Sequence, residues 1–171
     1  MMILLTGLLV SGFWVSQSMT LESIEIMVAE KFAVAEISQT ALQARLRDDP
    51  SELMVFDTRP REEFDVGHLK QAIQVDPDLS AEEFERRFGP LVNGKTLVFY
   101  CSVGYRSSQL LERVTPLLRQ RNVQSAANLR GGIFRWHNEG RPVFDAQGLT
   151  EKVHPYSDYW GQLLTQDPKR P

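Results

Sequence analysis

VFYCSVGYRSSQL, residues 98–110, reads as the end of a strand, a glycine-bearing loop and the opening of a helix. It holds the single cysteine of the 171-residue chain, Cys101, with Arg106 five positions on. Strands that alternate with helices form parallel sheets covered on both faces. In such sheets ligands sit outside the carboxyl ends of the strands, and Cys101 stands at one of those ends.

The same alternation continues on either side of the loop. Upstream, residues 32–37 read as a short strand or entry segment. Ser38 is placed as N-cap of a helix with Leu42 and Leu46 four apart. Residues 53–56 are a buried-strand signal, and residues 73–75 a weaker one ended by Asp76 and Pro77. Ser80 and Glu83 have capping-box spacing before a helix through Phe88, which Gly89 and Pro90 stop. Residues 96–100 are the clearest central strand. Downstream, Leu110, Leu111, Val114, Leu117 and Leu118 repeat at helical spacing, and Pro116 among them predicts a kink or a division. Residues 124–129 add one more strand, and Gly131 and Gly132 lead into a short helix around Trp136. The pattern predicts an α/β fold: a central parallel sheet of about five strands with helices on both faces. The expected domain covers residues 31–145, with a tail at 146–171.

Bulk composition narrows the function classes. With 42% hydrophobic and 24% charged residues the chain can bury a core of ordinary size. A net charge of −3 without a basic run gives no footprint for nucleic acid. One cysteine excludes an internal disulfide, so thiol chemistry must take its second sulfur from another molecule. Residues 1–21 carry no charged side chain, and 1–15 are mostly apolar. They read as a signal peptide, a membrane anchor, or a stretch upstream of a start at Met19. A cytoplasmic monomer is expected, with membrane contact through residues 1–15 or export as the alternative.

A free thiol is only a few per cent thiolate at neutral pH, and the thiolate is the nucleophile. The loop after Cys101 turns into a helix, whose unpaired amides and positive dipole end favour an anion on the sulfur. Gly104 allows a nest of inward N–H groups, and Arg106 adds a fixed positive charge. Ser107 is read as a helix N-cap, or as a hydroxyl donor to the sulfur anion. Taken alone, a lone cysteine at a strand end would be an inert buried residue. The glycine, the arginine and the helix start around it favour a nucleophile.

Three landmarks resemble the single-domain rhodanese (thiosulfate sulfurtransferase-like) family over roughly residues 32–144. DTRPREEFDVGHL (57–69) is similar to its D-x-R-x-x-x-E segment, CSVGYRS (101–107) to its C-x-x-G-x-R-S active loop, and LRGGIFRW (129–136) to its closing L-x-G-G segment. Lys70 and Gln71 depart from the family's usual Pro-Gly, and Pro116 interrupts a normally regular helix. The resemblance implies that Cys101 accepts a sulfane sulfur, becomes a persulfide, and passes the sulfur to cyanide or a thiol. Arg106 would stabilise the outer sulfur. Ser102, Val103, Gly104, Tyr105 and Ser107 would form the binding cradle. Partners would be a small-molecule or protein sulfur donor and a thiol acceptor, with no metal or organic cofactor.

The remaining residues read as scaffold. Arg59 and Glu63, four apart, are expected to pair across a helix turn, and Asp57 to hold the turn after its strand. His68 is expected to be structural, and His137 and His154 lack metal-ligand spacing. Trp136 anchors the last helix. Tyr156, Tyr159 and Trp160 are expected to pack back on the domain before a frayed end at 165–171. Two alternatives stay open: a binding module without turnover, and a phosphatase on the same fold. The phosphatase loop, C-x5-R, is one residue longer than Cys101 to Arg106.

Overall fold

The computed structural model describes residues 19–165. The expected leader, apart from its last three residues, and the end of the tail after Thr165 lie outside the described residues. In chain order the elements are α1 Leu21–Lys31, β1 Glu36–Ile37, α2 Gln39–Asp48, β2 Leu53–Asp57, α3 Arg61–Val66, β3 Ile73–Gln74 and α4 Ala81–Phe88. They continue with β4 Thr96–Tyr100, α5 Tyr105–Leu118, β5 Ser125–Leu129, α6 Gly132–Asn138, β6 Val143–Asp145, β7 Gly148–Thr150 and α7 Asp158–Gly161. Five strands form one parallel sheet in the order β1-β5-β4-β2-β3, as the alternation predicts. β6 and β7 make a separate antiparallel hairpin.

β4 is buried along its whole length, and its side chains alternate between two cores. Val98 and Tyr100 enter a cluster with Leu42, Val55, Ile133, Phe134 and Trp136. Leu97 and Phe99 enter the opposite one with Phe56, Phe84, Leu110, Leu111 and Val114. Leu110, Leu111, Val114 and Leu118 of the stripe read from the sequence are therefore the inner face of α5, Leu117 being only half-buried, and Trp136 is the expected anchor. Ser38 and Ser80 cap α2 and α4, each accepting a backbone N–H three residues on. Glu83 does not return the bond expected of a capping box; its carboxylate turns outward to Arg86.

α5 is not divided at Pro116 but runs on through it as one helix. The proline lies in the last turn, where it removes one ladder bond close to the helix end. The neighbouring Thr115 hydroxyl donates to the Leu111 carbonyl at 2.7 Å.

Segments on both sides of the strand–helix core also join it. α1 sends Leu21, Ile24 and Val28 into the first cluster. Its Thr20 cap is reciprocated by Ser23. From the tail, Val153, Trp160, Leu163 and Leu164 pack on the same cluster. Tyr156 and Tyr159 lie outside that cluster and stay mostly exposed; Tyr156 does fold back, over the Arg106 guanidinium, whereas Tyr159 meets Trp160. No helix among the described residues is long and apolar enough to cross a membrane.

Candidate active site

Parallel register brings three separate segments to one edge of the sheet. Asp57 lies beside Tyr100, at the ends of β2 and β4. The loops that follow, 58–60 and 101–104, therefore leave the sheet side by side, and the Gly131–Gly132 turn follows the neighbouring β5. The Tyr100 carbonyl, just before the cysteine, accepts from the Thr58 amide at 2.8 Å and from its hydroxyl at 3.2 Å. The Cys101 and Ser102 carbonyls accept from Ile133 and Phe134 at 2.9 and 3.0 Å, in the first turn of α6. A Cβ on Gly132 would collide with the Cys101 carbonyl, and one on Gly131 with the Glu25 carboxylate, which accounts for the glycine pair. The loop base is held from both sides.

Within the loop, Gly104 takes φ 98°, a left-handed value that suits glycine. That conformation turns its N–H onto Cys101 Sγ at 3.2 Å. The helix begins one residue later. Ser107 thus falls inside its first turn instead of capping it, and its hydroxyl donates to Asn128 Oδ1 at 2.7 Å. The N-cap is instead Gly104, which caps without a side chain.

Arg106 reaches across the loop to Glu63 of α3, with Nη1 to Oε1 at 2.8 Å and Nη2 to Oε2 at 3.0 Å. Ser102 Oγ completes the cluster, donating to Glu63 at 3.1 Å and accepting from Arg106 at 3.0 Å. Burial works against the charge of Arg106. The hydrogen bonds to Glu63, with the electrostatic interactions with Cys101 and Glu63, more than offset this and hold its pKa above the usual arginine value.

The expected Arg59–Glu63 pair is absent. Arg59 precedes Pro60, and α3 starts only at Arg61, so the four-residue helical spacing never applies. Arg59 instead grips Asp57, with Nη2 to Oδ2 at 2.6 Å and Nε to Oδ1 at 2.9 Å, and donates to the Gly67 carbonyl at 2.7 Å. Asp57 also accepts the Arg59 amide, so it holds the turn as expected. Burial opposes the Arg59 charge, and Asp57 beside it keeps its pKa above the ordinary value. His68 is structural, with Nδ1 3.0 Å from the Phe64 carbonyl and its ring stacked on Phe64. No cluster of three metal-ligating side chains occurs among the described residues.

Cys101 is 1% exposed and lines a cavity of about 310 Å³. Ser102, Val103, Tyr105 and Arg106 form the rest of its floor. Its walls are Ile24 and Met27 of α1 with Tyr156 and Trp160 of the tail. Tyr105 packs edge-on to Phe32, and its hydroxyl meets Lys31 Nζ. Three features escaped the sequence reading: Glu63 as a site residue, Asn128, and the α1 wall. The α1 helix had a legible signal in its Thr20–Ser23 cap and in Leu21, Ile24 and Val28 at helical spacing.

The Rhodanese-like domain family matches residues 38–139. A sulfurtransferase from Allochromatium vinosum is 31% identical over 115 residues, covering 67% of this chain and 99% of that protein. A tRNA uridine(34) hydroxylase from Sodalis glossinidius is 28% identical over 124 residues, which are 71% of this chain and 34% of that protein. The chain thus spans about a third of the length of that hydroxylase. Thiosulfate sulfurtransferase from Pseudomonas aeruginosa shares the fold at TM-score 0.55 and 18% identity, over 84% of this chain and 26% of that one. A Rhodopseudomonas palustris protein of unknown function, a possible tyrosine phosphatase, does so at TM-score 0.55 and 17% identity, over 74% and 95%.

Proposed function

The chain belongs to the rhodanese-like family, and from that membership and its loop geometry we propose that it is a sulfurtransferase working through a Cys101 persulfide. The observation that carries this reading is the Gly104 amide on Cys101 Sγ at 3.2 Å, beside a guanidinium held in place by Glu63. An amide aimed at sulfur supports the thiolate, and then the outer sulfur of Cys–S–S⁻, without reorganisation. Cys101 takes the sulfane sulfur from a donor and yields it to a thiol or cyanide, two displacements in ping-pong order.

The roles divide along the cluster. Arg106 opposes the negative charge of the sulfur, and Gly104 supplies the N–H donor. Ser102 and Glu63 position Arg106, and Ser107 ties the first turn of α5 to β5 through Asn128. Val103 and Tyr105 flank the reacting sulfur. Loop length favours sulfur over phosphate: four residues between Cys101 and Arg106 make a ring suited to one atom. The likeness to the Rhodopseudomonas palustris protein, at 17% identity, is one of fold and carries no phosphatase activity to this chain.

Intact mass after exposure to thiosulfate tests the reading. The expected result is a gain of one sulfur atom, removed by cyanide and absent in Cys101→Ala. A folded protein that takes up no sulfur from any sulfane donor overturns it and leaves the binding-module reading in its place.

A further inference from the structure

The walls of the cavity over Cys101 come from outside the matched family span of 38–139. Ile24 and Met27 stand three apart on one face of α1, and Tyr156 and Trp160 four apart in the tail. Together they offer an aliphatic side, a thioether and two aromatic rings. Ser102 and Arg106, the hydroxyl and the cation among the lining residues, belong to the loop that carries the reacting sulfur.

Charge at the floor is already largely spent. Arg106 is the only cationic side chain among the lining residues, and both of its terminal nitrogens are bound to the Glu63 carboxylate. A small inorganic dianion such as thiosulfate meets one half-neutralised cation here, and no apolar part of it can use the walls.

The backbone at Tyr156 is the second observation. It takes φ 66°, one of two non-glycine residues with positive φ among the described residues. That conformation costs an ordinary side chain free energy and persists only where the surroundings enforce it. Its amide donates to His154 Nδ1 at 3.0 Å, and Ser157 caps the short helix that carries Trp160 inward. The turn sets the Tyr156 ring 5.1 Å from the Arg106 guanidinium. The tail is therefore folded back as part of the pocket.

The geometry points to an organic sulfane-sulfur donor, one whose terminal sulfur is carried on an apolar or aromatic body that the α1 and tail side chains enclose. This rests on the persulfide reading of Cys101 and names the donor class for it. A cavity of about 150 Å³ suffices to hold benzene, so 310 Å³ accommodates one ring and its sulfur head. For a thiosulfonate, R–SO2–S⁻, the Cys101 thiolate attacks the outer sulfur. The new S–S bond forms as the bond to the sulfonyl sulfur breaks, and its electron pair departs with the sulfinate, R–SO2⁻. Two anions enter and two leave, with no outside oxidant or reductant.

Three donors probe this with the full chain and cyanide as acceptor: thiosulfate, methanethiosulfonate and benzenethiosulfonate. The last two share charge and reacting head and differ only in the body. The expected result is kcat/KM for benzenethiosulfonate at least about tenfold above methanethiosulfonate, with thiosulfate lower still. Met27→Ala and Tyr156→Ala replace side chains that are 41% and 53% exposed, so the fold should survive both. Each should lower the benzene-to-methane ratio several-fold, through KM. Equal kcat/KM for the two thiosulfonates, or a ratio that neither variant moves, overturns the proposal while leaving the sulfurtransferase reading intact. If none of the donors loads Cys101, the sulfurtransferase reading itself falls, and this inference with it.

Discussion

Two forked guanidinium–carboxylate pairs take their carboxylates, Asp57 and Glu63, from the same 57–69 motif, and they serve different ends. Arg59–Asp57 is sealed, with both side chains at 0% exposure, and the Tyr100 ring lies 5.7 Å from its guanidinium. Arg106–Glu63 has the same chemistry, but Arg106 is 22% exposed, lines the cavity, and is covered by Tyr156 at 5.1 Å. Each pair has an aromatic partner, one fully buried and one half in solvent. Position decides the role. The sealed pair fixes where β2 ends and where the next loop departs, while the open one keeps a charge beside the Cys101 sulfur, which changes its own charge in the proposed mechanism. Ion pairing alone identifies neither scaffold nor site; access to the reacting atom does.

Removing the carboxylate from each pair should separate them most sharply. Asp57→Asn leaves Arg59 charged and dry, and breaking a buried pair in this way costs about 3–5 kcal/mol. Glu63→Gln leaves Arg106 beside a cavity and the Cys101 sulfur, so about 1–2 kcal/mol is expected, together with slower turnover in the proposed sulfur transfer as the guanidinium loses its fixed orientation. Denaturant unfolding and cyanide-coupled turnover measure both. Equal stability losses would erase the distinction.

A smaller effect belongs to the sealed pair alone. Burial, and then the negative charge of Asp57, push the Tyr100 hydroxyl well above its ordinary pKa. In the unfolded chain it ionises near about 10. Below that pH both states hold the proton and stability does not depend on it. Above, only the unfolded state gives the proton up, so stability should fall by about 1.4 kcal/mol per pH unit until the native pKa is reached. Tyr100→Phe should remove this slope. It should also lower stability at neutral pH by about 1 kcal/mol, because the hydroxyl accepts the Leu69 amide at 3.0 Å. A slope that persists in the variant would place the titration elsewhere.

The sealed region was legible in the sequence to an unusual degree, and the open one less so. Buried runs such as 53–56 and 96–100 announce strands because a parallel sheet needs apolar side chains on both faces. The three landmarks place Cys101, Gly104 and Arg106 at one end of that sheet. What the sequence hid was pairing across distance. Arg59 and Glu63 have helical spacing, but Pro60 starts the helix after Arg59, so spacing misassigned both partners. Ser107 looked like a cap because the eye puts the helix after the arginine; a glycine in the left-handed region starts it earlier. The cavity walls come from residues 24–27 and 156–160, more than a hundred positions apart in the chain. Only the packing of α1 and the tail on a common cluster brings them together.

The smallest effect tests the half-open aromatic. In Tyr156→Gly the left-handed backbone loses its penalty, about 1–2 kcal/mol for a residue with a side chain. Glycine's greater loss of freedom on folding offsets about 0.5–1 kcal/mol of that. The cation–π contact with Arg106, worth about 0.5–1 kcal/mol at an exposed site, goes as well. These contributions nearly cancel, so the thermal midpoint should barely move. Turnover should respond all the same, because Arg106 then lacks the ring that limits its swing toward solvent. A fall of about two- to fivefold in kcat/KM with any sulfane donor corresponds to losing that contact. Were the midpoint to drop as it should for Asp57→Asn, Tyr156 would belong with Tyr100 to the scaffold, and the two pairs would differ in exposure without differing in use.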